Sequence, residues 1–81
     1  MNIKKLDKNQ YEIITKNDII YISKEQNPNT ELYLYFVYVF EHNNKNAYDN
    51  EIFDDLIKAV IYIQNNYEIP KSITKQIKIG E

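Results

Sequence analysis

Leu32 to Phe40 is an unbroken run of nine apolar and aromatic residues, bounded by Glu31 and Glu41. Val, Tyr and Phe lose rotamer freedom in a helix and fit a pleated surface, so the run predicts a strand over residues 31–41. Successive side chains of a strand point to opposite faces. One face carries Leu32, Leu34, Phe36, Tyr38 and Phe40; the other carries Tyr33, Tyr35, Val37 and Val39. Both are apolar, which places the strand inside a sheet rather than at its edge. A membrane-crossing helix needs about 20 apolar residues, so the run is too short to be one.

The preceding segment reads as a hairpin. Tyr11–Thr15 and Ile19–Ser23 are rich in β-branched and aromatic residues. Asn17-Asp18 is expected as a two-residue turn, because Asn and Asp tolerate positive φ. That turn pairs Ile14 with Tyr21 and Ile13 with Ile22. One face then holds Tyr11, Ile13, Ile20 and Ile22; the other holds Glu12, Ile14, Lys16, Ile19, Tyr21 and Ser23, and is mixed. Residues 2–6 add a short strand, turning at Asp7-Lys8-Asn9.

Polar loops at residues 26–30 and 42–46 flank the long strand. A helix is expected to start between Asn46 and Asn50. Ile52, Phe53, Leu56, Ile57, Val60, Ile61 and Ile63 follow helical spacing. Asp49, Glu51, Asp54 and Asp55 fall in its opening turns, where carboxylates complement the helix dipole. Asp54 and Lys58 make a favourable i,i+4 pair. Asn65 or Asn66 is expected to end the helix in a left-handed conformation before Pro70. Ile73, Ile77 and Ile79 then alternate as a weak last strand.

These elements define an α+β fold: a small antiparallel meander of three to five strands packed against one helix, in the order β-β-β-α with an optional final β. Phe36 is expected beneath Phe53, Leu56 and Val60. One helix covers one face of a sheet, so the Tyr33 and Tyr35 side of the long strand is left without cover.

The chain has 81 residues, enough for one domain. It has no Cys, which excludes disulfides and thiolate metal sites. Its only Gly is Gly80, so no glycine-rich phosphate loop exists. All ten basic residues are Lys, which removes the side chain best suited to guanine edges and phosphates. Ile, Asn, Lys and Tyr dominate, all favoured by AT-rich codons. With neither a signal peptide nor a spanning segment, a cytoplasmic location is expected. The net charge of −2 conceals a pattern: residues 25–68 carry two Lys against eight acids, whereas both ends are mildly basic.

No constellation points to catalysis. His42 is the only His and lies among Asn residues; Ser23 and Ser72 have no nucleophile-elbow context. Glu41, His42, Asp49 and Asp54 match no metal-ligand spacing, and neither metal nor cofactor is expected. The tyrosines could stack bases, but they belong to the acidic segment, which repels phosphate. A protein partner suits them better, since Tyr is enriched in interface hot spots. Glu41, Asp49, Glu51, Asp54 and Asp55, with Tyr33 and Tyr35 as apolar anchors, are the candidate partner-binding residues.

This small, acidic, Tyr-rich make-up is similar to that of phage-encoded inhibitors of host nucleases, including anti-CRISPR proteins; the likeness is of composition and involves no motif. It implies a non-enzymatic inhibitor that blocks a basic, nucleic-acid-binding surface of a host protein. The alternatives are a small nucleic-acid-binding or regulatory domain using the Tyr-rich strand and terminal lysines, and a structural homodimer module. A homodimer is also expected from the uncovered sheet face.

Overall fold

The computed structural model describes residues 1–79. Five strands form one antiparallel sheet in sequence order: β1 (Asn2–Asp7), β2 (Gln10–Ile14), β3 (Asp18–Gln26), β4 (Tyr33–Glu41) and β5 (Asp49–Phe53). Two helices follow, α1 (Leu56–Tyr67) and the single-turn α2 (Lys71–Thr74). The fold is the expected α+β meander with a helix across one face. The order differs in detail, since the fifth strand precedes the helix and the segment bearing Ile73 is helical.

The fully apolar face of the β2–β3 hairpin lies at the centre of the core. Ile13 pairs with Ile20 and Tyr11 with Ile22, and Ile20 and Ile22 pair in turn with Val39 and Val37. Ile13, Ile20, Ile22, Val37 and Val39 have no exposed surface, nor have Ala59 and Ile63 of α1, which cover them. Ile69, Ile77 and Ile79 close the same cluster, so the C-terminal isoleucines serve the core without forming a strand.

The hairpin turn differs from expectation. Thr15 donates its N–H to the Asp18 carbonyl at 2.9 Å, and its hydroxyl accepts from the Asp18 N–H at 2.9 Å. The turn residues are therefore Lys16-Asn17. Among the described non-glycine residues positive φ occurs only at Glu31, Asn43 and Glu68, so the threonine side chain does the work assigned to a left-handed Asn. Ile14 consequently pairs with Ile19 rather than Tyr21. The slip is two residues along one strand, which leaves every side chain on its expected face.

The faces of β4 are reversed relative to the core. Val37 and Val39 lie under the helix, whereas Phe36 pairs with Ser23 and Ile52 on the opposite side. Register explains this: the odd residues of β4 meet Ile20 and Ile22, and the even ones meet the mixed face of β3.

Residues 49–53 form β5 instead of opening the helix. The exposed backbone of β4 needs a partner, and that demand outweighs the helical spacing of Ile52 and Phe53. Pairing starts where Tyr48 donates its N–H to the Val39 carbonyl at 2.9 Å. The helix starts after Asp55, an extended N-cap whose carboxylate accepts from the Ile57 N–H at 2.7 Å. It passes through Asn65 and Asn66 and stops at Glu68, left-handed with φ 55°. Ile69, just beyond, is only 2% exposed, and this burial anchors the stop.

Candidate functional site

Cross-strand register assembles the face away from α1 row by row. Ile14, Ile19 and Phe40 form one row; Lys4, Glu12, Tyr21, Tyr38 and Asn50 the next; Gln10, Ser23, Phe36 and Ile52 the third; Glu25 and Leu34 the last. Among the described residues no element lies over these rows. Ile52 is 56% exposed, and the large side chains of β3 and β4 here are half-buried, with Asn44 and Lys45 of the loop after β4 bordering Ile19, Tyr21 and Phe40. Tyr21 and Phe40 meet edge to face at 5.7 Å, and Phe36 and Tyr38 stack at 5.9 Å with their planes 8° apart. Paired rings present a stiff surface with little side-chain entropy to lose on contact.

Two carboxylates stand among these rings. Glu12 lies beside Tyr21, and hydrogen bonding to it, burial and its charge together raise the Tyr21 pKa. Burial and the neighbouring Glu25 do the same for Tyr38. The Tyr38 hydroxyl donates to Glu25 Oε2 at 3.3 Å, and the Ser23 hydroxyl donates to the same oxygen at 2.8 Å. The single ion pair among the described residues is Lys58–Asp54, so Glu12 and Glu25 have no cation within 4.0 Å among those residues.

The acids proposed from sequence do not form one helical patch. Asp54 pairs with Lys58 at 2.9 Å, as its spacing predicts. Asp55 caps α1. Asp49 lies on the helix side of β5, where one carboxylate oxygen accepts from both the Tyr62 and Tyr67 hydroxyls. Glu51 and Glu41 are exposed, on β5 and at the end of β4. The tyrosines are likewise separated from the open face: Tyr35 packs against the core on the helix side, and Tyr33 is 52% exposed with the Lys24 ammonium 4.7 Å from its ring centre. Their place on the open face belongs to Leu34, Phe36, Tyr38 and Phe40. The alternation was visible in sequence; which set met the helix required the register to Ile20 and Ile22.

His42 acts as a tether, its Nε2 lying 2.9 Å from the Thr15 carbonyl and joining the loop after β4 to the hairpin turn. No group of three or more His, Asp or Glu stands close enough to hold a metal ion among the described residues. Among the described residues, no helix is long and apolar enough to cross a membrane. Comparisons with known protein families, curated proteins and solved structures return no match.

Proposed function

We propose that this protein is a binding protein that docks its open sheet face onto a basic surface of a host protein and blocks it, the surface being of the kind that holds nucleic acid. The observation carrying this proposal is the aromatic face formed by Tyr21, Phe36, Tyr38 and Phe40 with Glu12 and Glu25 set among the rings. Aromatic rings provide the desolvated anchors of an interface. Carboxylates beside them select lysine and arginine over phosphate and steer the encounter. Glu41 and Glu51 share the helix side of the sheet with Val37 and Val39, so the negative charge of the docking face itself rests on Glu12 and Glu25. Stacking of single-stranded nucleic acid would use the same rings, and Glu12 and Glu25 oppose it.

The test is capture from a bacterial lysate with the wild-type chain, Phe40→Ala and the double variant Glu12→Gln/Glu25→Gln, all checked for folding by circular dichroism. A captured protein with a basic surface, competed off by nucleic acid and lost with both variants, is the expected result. Capture unaffected by either variant would overturn the proposal. Direct binding of labelled single strands, strengthened in the double variant, would establish the nucleic-acid alternative instead.

A further inference from the structure

At one corner of the open face, the β1–β2 turn and β3 enclose an open cleft of about 600 Å³. Its walls include Asp7, Lys8, Gln10, Ser23, Glu25 and Tyr38. Ser23 is 6% exposed, and its hydroxyl is committed to Glu25. With Ser23 and Tyr38 both donating to Oε2, the Glu25 carboxylate is held in one orientation, and Oε1 accepts no hydrogen bond among the described residues. The Tyr38 ring, backed by Phe36, provides a flat wall beside it. Asp7 uses Oδ1 to accept from the Asn9 N–H at 2.7 Å, which fixes the turn and leaves Oδ2 without a donor among the described residues.

Resting on the docking function proposed above, we infer that this cleft receives an arginine side chain of the partner, its guanidinium stacked on Tyr38 and bonded to Glu25 Oε1. A planar cation with several donors matches a flat ring beside a pre-oriented carboxylate. Two lysines border the cleft, and neither neutralises Glu25. The Lys24 ammonium is drawn to the Tyr33 ring on the helix side of the sheet. Lys8 lies in the exposed turn and sets a local repulsion that its removal would relieve.

The test is a nuclear magnetic resonance titration of the full chain with acetyl-Ala-Arg-Ala-amide and with the citrulline counterpart, which keeps the shape and lacks the charge. Saturable shifts at the Ser23, Glu25 and Tyr38 amides with the arginine peptide alone are expected. They should weaken about tenfold in Glu25→Gln, where the amide oxygen can still accept from Ser23, and strengthen in Lys8→Gln. Equal response to citrulline, no saturable shift, or shifts unchanged in Glu25→Gln would overturn the inference. So would inorganic phosphate shifting the same amides and losing that effect in Lys8→Gln, which would mark an anion site. If the peptide binds the cleft while Phe40→Ala leaves lysate capture unchanged, the cleft stands and the docking proposal fails; the reverse pattern fails the cleft alone.

Discussion

Asp49 and Asp55 show how a carboxylate can be taken up by the fold. Asp55 satisfies the Ile57 N–H, one of the orphan donors of the first turn of α1. Asp55→Ala should cost about 1 kcal/mol, while Asp55→Asn, an equally good cap, should cost only a few tenths. Urea midpoints of the two variants check this, and equal losses would mean that charge rather than capping matters. Asp49 gathers Tyr62 and Tyr67, and Tyr48 donates to Asp18. For Tyr62 the bond to Asp49 leads, followed by burial, and its pKa is pushed up to about 12. For Tyr48 burial leads, followed by the bond to Asp18, again to about 12. Tyr67 is raised as well, by burial first and then by Asp49. An unfolded tyrosine ionises near pH 10. Because the folded pKa values are raised, the stability they contribute is complete below about pH 10 and is lost as pH rises through about 12. The urea midpoint should therefore hold to about pH 9.5 and then fall, with some tyrosines ionising late in a 295 nm absorbance titration. A single ionisation step near pH 10 with an unchanged midpoint would contradict the network.

At the level of the elements, β4 decides which side of the sheet is core. Ile63→Ala removes a side chain with no exposed surface and should cost about 2–5 kcal/mol. Phe36→Ala acts on the open face, where the ring is half-buried, and should cost about 1 kcal/mol, well below the cost at Ile63. The reverse ranking in denaturant titrations would place the helix on the wrong face. The composition of β4 and both faces of the hairpin were legible in the sequence, because period-two alternation needs no partner to be read. The choice between the two apolar faces was not, since it depends on which residues of β3 oppose them. Yet Tyr11, Ile13, Ile20 and Ile22 already formed the purer apolar face, and carrying that face across to β4 selects Val37 and Val39. Residues 49–55 misled for a different reason. Ile52 and Phe53 continue the helical spacing of Leu56 and Val60, and only the open hydrogen-bonding edge of β4 makes them a strand. Asp55 directly before Leu56-Ile57 was the available cap signal. The helical arrangement expected for the acids failed with the helix start, because it was borrowed from helical turns that do not exist. The carboxylates that do reach the open face, Glu12 and Glu25, lie in the hairpin.

Considered as a whole molecule, the protein has one covered and one open sheet face, and the open face could also meet a second copy. A transient homodimer through this face is our remaining proposal, and its salt response separates it from partner docking. Two open faces packed together bring Glu12 and Glu25 of each copy toward one another, against Lys4 in those rows and Lys45 of the adjoining loop. The whole chain adds a net charge of −2 per copy. Like charges at close range oppose association, and added salt screens them, with a Debye length of about 10 Å at 0.1 M falling to about 3 Å at 1 M. Apolar contact between the Phe36, Tyr38 and Phe40 rings is not weakened by that screening. Self-association should therefore strengthen between 0.1 and 1 M salt, whereas binding to a basic partner should weaken over the same range. Sedimentation equilibrium at the two salt concentrations measures the first effect, with Phe40→Ala as the control that should remain monomeric. A dimer that loosens with salt, or that forms equally well in Phe40→Ala, would place the contact elsewhere on the molecule. A strict monomer at high micromolar concentration in both buffers would leave the open face to the basic partner alone.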